Sequence, residues 1–211
     1  MNAPPLASLQ ASPDEPLPLT LYGQDLLHRP AAEVTVFDDA LAALVTAMFE
    51  TMYAAPGVGL AAPQVGVGLR VFVYDCGPGQ RGHVVNPVLG RIPGELQEGT
   101  EGCLSVPDLE YETPRAEFAR VTGVDQSGAP VVVEGDGLLA RCLQHECDHL
   151  DGLLYLDRLG GRIRKQALKD VRAAEWYGQA QRRLEPLPPG FDPDVDPRED
   201  ADEDEDEGLP V

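Results

Sequence analysis

The sequence predicts an α+β fold, on three observations. Short runs rich in valine and aromatic residues are gathered between helix-period segments, a Gln126-Ser127-Gly128 turn signal joins two of those runs as a hairpin, and a later helical segment carries His145-Glu146-Cys147-Asp148-His149. Strands collected between helices, instead of alternating with them, favour antiparallel or mixed sheets. The expected architecture is antiparallel or mixed sheets packed around a central His-Glu-x-x-His helix, with one helix towards each terminus.

Taken in order, Met1 to Pro18 is rich in Pro, Ala and Ser and lacks both a basic start and an apolar core, so a flexible lead-in is expected over 1–18 and not a signal peptide. Asp38 to Ala54 reads as an amphipathic helix with Leu41, Leu44, Val45, Met48, Phe49 and Met52 on one side, stopped by Pro56 and Gly57. Strands are expected over Leu69 to Tyr74, His83 to Val85, Ala119 to Val124 and Pro130 to Glu134. Gly137 to His149 forms the helix of the histidine motif, ended where Gly152 can take the left-handed cap conformation. Ile163 to Gln181 forms the last helix.

At 211 residues and 43% hydrophobic, the chain suits one domain, placed at 19–184. It has no apolar run near the roughly 20 residues that span a bilayer, so no membrane partner is expected, nor DNA. Four unpatterned cysteines without an export signal point to reduced thiols and a cytoplasmic protein. The formal charge of −20 is unevenly spread, because Asp192 to Glu207 holds eleven acidic residues against Arg198 alone. Self-repulsion and the prolines there oppose packing, so 185–211 is expected to be a disordered, solubilising tail.

The histidine motif carries the chemistry. Histidines at i and i+4 of a helix aim two imidazoles at one point, with Glu146 beside it, an arrangement suited to a divalent metal and hydrolysis; two solvated surface histidines would show the same spacing. A third ligand must come from elsewhere. Tyr155 stands where a protease with an extended histidine motif needs its third His. Glu175 on a later helix and Cys103 in Glu101-Gly102-Cys103-Leu104-Ser105 remain, although Cys103 would equally serve as a buried structural cysteine. Cys142 shares the histidine stripe but lies roughly 7 Å along it, too far to ligate, and Cys147 projects from the opposite side into packing.

Three segments, Gly57-Val58-Gly59-Leu60-Ala61-Ala62-Pro63-Gln64, Glu101 to Ser105, and Gln144-His145-Glu146-Cys147-Asp148-His149-Leu150-Asp151-Gly152, stand in the order and approximate spacing of one family's motifs. On them the chain resembles the peptide deformylases from about Leu19 to about Arg183. The resemblance implies a metal-dependent hydrolase that removes the formyl group from the N-terminal formylmethionine of nascent polypeptides and releases formate. It implies Cys103, His145 and His149 as ligands of one ion per chain, Fe(II) physiologically, with Zn(II), Ni(II) or Co(II) able to substitute. Glu146 would activate water at the metal, and the Gln64 amide and the Leu104 backbone N–H would stabilise the oxyanion.

The same resemblance makes Gly57, Val58 and Gly59 a peptide-binding edge, and Val58, Leu138 and Cys142 the methionine pocket. Glu101 would hold Cys103 in place through an ion pair with Arg115. Two residues depart from many relatives: Arg141, near the pocket where an aliphatic residue is usual, and Glu110, where some place an Arg near the substrate's second or third residue. A monomer is expected, with transient ribosome contact through the basic last helix. Tyr155 speaks against a metalloprotease, and Glu146, Gln64 and Cys103 together speak against a catalytically silent metal-binding relative.

Overall fold

The computed structural model describes residues 16–90 and 94–178. Most of the expected lead-in, and all of the expected acidic tail, lie outside the described residues.

Helix α1, Asp39–Ala54, opens where the Asp38 carboxylate accepts the Leu41 backbone N–H at 3.1 Å, and it buries Leu41, Leu44, Val45, Met48, Phe49 and Met52. That cap satisfies one of the donors a helix start leaves unpaired. The chain leaves the helix at Ala55, whose backbone is extended, before Pro56 and Gly57.

Five strands form one antiparallel sheet in the order β1 (Gly59–Ala61), β2 (Val71–Asp75), β3 (Arg81–Gly90), β8 (Phe118–Val124) and β9 (Pro130–Asp136). The turn closing β8 to β9 is held by the Asp125 carboxylate, which accepts from the backbone N–H of Ser127 and Ala129, with Gly128 at φ +84°. Register shifts between Val85 and Val88, where Asn86 adopts φ +51° and its side-chain amide bonds both the N–H and the C=O of Val34. Two further antiparallel pairs lie apart from this sheet: β4 (Leu96–Gln97) with β7 (Arg115–Ala116), and β5 (Thr100–Cys103) with β6 (Val106–Glu112).

Helix α2, Gly137–Leu150, packs on the large sheet, and Leu139, Ala140, Cys142, Leu143, Cys147 and Leu150 share a core with Phe72, Val84 and Val121. A second core joins α1 to β1 and β2. At the end of α2, Gly152 sits at φ +78°, and a Cβ there would come within 2.8 Å of three Arg29 backbone atoms, so only glycine closes this turn.

The last helix corrects the expected span. It runs Gly161–Ala173 as α3 and breaks at Ala174, whose ψ is 136°, before a further helical turn begins at Glu175; the remainder to Gln181 passes beyond the described residues. The break turns Trp176 and Tyr177 into the core formed by Leu27, Leu154, Tyr155 and Leu156, where the Trp176 indole donates to the Pro107 carbonyl at 3.0 Å. Aromatic burial outweighs a continued helical pattern.

Candidate active site

Helix periodicity places His145 and His149 one turn apart on the face of α2 that turns away from Cys147. Their Nε2 atoms lie 3.2 Å apart. The third group arrives on the tip of the β5–β6 hairpin. There Cys103 pairs with Val106 across Leu104 and Ser105, and a register shift after Gly102 re-aims the strand. Cys103 Sγ comes 3.2 Å from His149 Nε2, and the three donor atoms lie within 4.8 Å of one another. A thiol and two imidazoles converging at that spacing fit one divalent ion with bonds of about 2.0 to 2.3 Å. Cys142 and Cys147 stand outside this group.

The imidazoles are prepared as donors. His145 Nδ1 lies 3.0 Å from Glu101 Oε2, which keeps a proton on Nδ1 and turns the Nε2 lone pair to the cluster. The ring stacks on Tyr155 at 6.3 Å, and the Tyr155 hydroxyl donates to the Leu109 carbonyl at 2.8 Å. Tyr155 therefore supports a candidate ligand from the place where another motif would supply one. Burial, followed by the His145 charge, holds His149 far below the ordinary histidine range, so its imidazole is neutral. His145 is pulled the other way: burial disfavours its charged form, but Cys103 and Glu101 raise its pKa.

Glu101 anchors a buried charge network. Arg115 meets it at 2.7 and 2.9 Å and meets Asp148 at 2.5 Å, while Arg158 clamps the two Asp148 oxygens. Burial alone would raise Glu101, yet the bonds from Arg115 and His145 bring it down to about 2. The expected Glu101–Arg115 pair is thus one side of a larger assembly. Asp148, Arg158 and Gln144 were not singled out from sequence, although Asp148 and Gln144 lie inside the quoted motif. Gln144 fixes β7 to α2, accepting the Ala116 N–H at 3.0 Å and donating to the Ala116 carbonyl at 2.9 Å.

Arg141 also belongs to that assembly. It lines the cleft, but its Nη1 is bound to Glu101 Oε1 at 2.8 Å and to the Thr113 carbonyl at 2.7 Å, so its charge faces Glu101.

Glu146 is buried, and its Oε2 has no hydrogen-bond partner. Burial raises its pKa to about 7, with the nearby His145 charge acting in the opposite direction. Gln64 is also buried, and its orientation is set: Oε1 accepts the Ala61 N–H at 2.8 Å, leaving Nε2 directed at Ser105 Oγ (3.3 Å) and Cys103 Sγ (3.5 Å). Ser105, quoted within the Glu101 to Ser105 segment but given no role there, thus helps to hold the amide. Across the cleft, Gly59 has no room for a side chain. A Cβ there would overlap the Glu146 carboxylate and lie 2.8 Å from Cys142 Sγ.

These groups open on a cleft of about 540 Å³ lined by Gly57, Val58, Gly59, Gln64, Glu101, Cys103, Leu104, Leu138, Arg141, Cys142, His145 and Glu146. His149 and Arg115 lie behind its wall. Leu138 and Val58 are substantially exposed, so the cleft offers apolar surface to a ligand, while Asp108 and Glu110 place exposed carboxylates on its rim.

The polypeptide deformylase family model matches residues 16–165 of the chain. A peptide deformylase of Acidothermus cellulolyticus is 53% identical over 165 residues, which cover 78% of this chain and 91% of that protein. Peptide deformylase 2 of Streptomyces coelicolor is 54% identical over 164 residues, covering 76% and 92%. Among solved structures, the peptide deformylase from Thermus thermophilus superposes with a TM-score of 0.71 at 44% identity, covering 79% of this chain and 98% of that one.

Proposed function

Since the chain belongs to the polypeptide deformylase family and is a metal-dependent hydrolase that removes the formyl group from the N-termini of nascent polypeptides, we propose the following division of labour among its residues. Cys103 as a thiolate, His149 as a neutral imidazole and His145 through Nε2, which gives up its proton to the ion, hold one ion per chain; ferrous iron is the physiological occupant, and zinc, nickel or cobalt can replace it. When bound, the ion polarises the formyl carbonyl and makes water nucleophilic near neutral pH.

Glu146 is the proton carrier. Its carboxylate takes the proton of the attacking water and returns it to the departing amine nitrogen, so that formate and a free N-terminus result. The observation that carries this assignment is the buried Glu146 Oε2, unpartnered and beside three converging donors, with a pKa near 7 that lets it both gain and lose a proton at cellular pH. Gln64 Nε2 donates to the formyl oxygen as negative charge builds there, joined by the Leu104 backbone N–H. The bonds that Gln64 Nε2 now makes to Ser105 and Cys103 are long, which leaves the amide available to a better acceptor.

The substrate backbone lies along β1. This strand stands at the edge of the five-stranded sheet; Val58 O is engaged by Asp75 N at 2.9 Å, so alternation turns the backbone groups of Gly59 towards the cleft. Pairing with backbone tolerates many downstream sequences. The methionine side chain enters between Val58, Leu138 and Cys142, and Arg141 acts on that pocket mainly through Glu101. Asp108 and Glu110 bias the rim towards basic downstream residues. We propose further that the enzyme works as a cytoplasmic monomer and touches the ribosome transiently through the basic residues of α3, among them Arg162, Lys165 and Lys169. No helix among the described residues is long and apolar enough to cross a membrane.

The test is formate release from formyl-Met-Ala-Ser by protein prepared without oxygen and loaded with iron or with nickel. Release with either ion, abolished by a chelator and restored by the ion, supports this reading. Absence of formate with both ions overturns it.

A further inference from the structure

Four free cysteines occur in the chain, and two of them converge away from the metal ligands. Cys76 follows the last residue of β2, and Cys142 lies on α2; both thiols point at one atom, the Val58 carbonyl oxygen, at 4.0 and 3.5 Å. Cys76 is partly open to solvent, whereas Cys142 is buried in the cleft wall. Val58 and Gly59 lie against this pair, with Gly59 packed onto both Cys142 Sγ and Glu146. Cys147 has no such partner, being enclosed in the core beside Leu143 and Leu150.

We propose that Cys76 and Cys142 form an oxidisable thiol pair, a modification site at which a hydroperoxide converts the two thiols into a disulfide beneath the peptide-binding edge. In the first step the Cys76 thiolate attacks one peroxide oxygen, the O–O bond breaks, and Cys76 becomes a sulfenic acid as the other oxygen leaves protonated. The Cys142 sulfur then attacks the Cys76 sulfur, the S–O bond breaks, and its oxygen leaves as water with the Cys142 proton. In sum two thiols and one hydrogen peroxide give one disulfide and two waters.

The order of roles follows from the surroundings. A hydrogen bond from the Cys142 thiol lowers the pKa of Cys76 despite its partial burial, while the same contact and full burial push Cys142 up. The accessible partner is therefore the easier thiolate. A disulfide of about 2.05 Å ties the end of β2 to α2 and draws Cys142 Sγ off the Val58 carbonyl. Because Gly59 has no slack against Glu146, the edge shifts with it. The loss of activity this implies rests on Val58 and Gly59 binding substrate, as proposed above; formation of the bond does not.

The experiment treats the nickel-loaded protein with limited hydrogen peroxide, blocks remaining thiols with N-ethylmaleimide under denaturing conditions, and maps the digest by mass spectrometry. A linked peptide pair containing Cys76 and Cys142, lost on treatment with dithiothreitol, is expected. Formyl-peptide turnover should fall by about 10-fold to 100-fold in parallel, the scale of an ångström's misplacement at an active site, and return with the reductant. Cys76→Ser should keep basal activity and lose this reversible component. If both cysteines are recovered as maleimide adducts while Cys103 is already oxidised, the pair is not the site and the proposal fails. A linked pair with unchanged turnover would leave the disulfide standing and overturn the substrate edge instead.

Discussion

Gly59 and Glu146 show how closely the residue scale sets the chemistry. A Cβ at 59 would occupy the Glu146 carboxylate and crowd Cys142 Sγ, so Gly59→Ala should displace the proton carrier without touching a ligand. We expect kcat/KM to fall on the order of 10²-fold with bound metal unchanged, measured by turnover beside metal content. Arg115 is the opposite case, distant from substrate yet joined to both Glu101 and Asp148 in a fully buried setting. Arg115→Ala removes one buried cation from both Glu101 and Asp148, which keep Arg141 and Arg158, and should cost about 3 kcal/mol of stability, read from urea unfolding. Metal affinity should weaken by about 10-fold to 100-fold, because Glu101 also orients His145. From the sequence, the i, i+4 histidines and Glu146 were legible through helix geometry alone, whereas Cys103 and Gln64 needed the family resemblance to separate them from structural residues. Asp148 and Ser105 stood inside quoted motifs without a role, and Arg158 outside them, because their partners come from other segments of the chain.

Among the elements, α1 was the most legible. Its apolar stripe was read as it is buried, and the structure adds the Asp38 cap, so Asp38→Ala should lower stability by about 1 kcal/mol, seen as a shift in the urea midpoint with the slope unchanged. Four strands of the large sheet were read from their β-rich runs, whereas β1 in the glycine-rich segment was not, and β3 extends to Arg81–Gly90 because Asn86 at φ +51° carries the chain through a register shift. The β5–β6 hairpin was missed. Its connection, Leu104-Ser105, has none of the glycine or asparagine that usually marks a tight turn, and Glu101, Glu110 and Glu112 obscure the alternation. That hairpin is nonetheless what delivers Cys103. The end of the last helix was misjudged for a related reason: the helical pattern continues past Ala173, but Trp176 and Tyr177 gain more by packing into the core than by extending it.

Across the whole molecule, partly buried histidines set the response to acid. Burial lowers the pKa of His28 and of His83, each accepting a backbone N–H at Nε2, from Gly23 and Gln126 respectively. Between its folded and unfolded values each histidine binds more protons unfolded than folded, so stability is complete above about pH 6.5 and declines as pH falls below it. Glu101, with a folded value of about 2, keeps its contribution until pH falls far lower. The urea midpoint of the metal-loaded protein should therefore drop between about pH 6.5 and pH 5, and His28→Gln should flatten that drop. In the proposed division of labour, the sheet, α2 and the hairpin bring the Glu146 carboxylate, with its unpartnered Oε2, to three atoms that could hold a metal ion, and Glu146→Gln is the direct test of it. The substitution keeps size and ligands but removes the proton carrier. Formate release by the iron- or nickel-loaded variant should fall by on the order of 10² to 10⁴ while it retains one ion per chain. Turnover close to that of the unaltered protein, with the ion bound, would contradict the account.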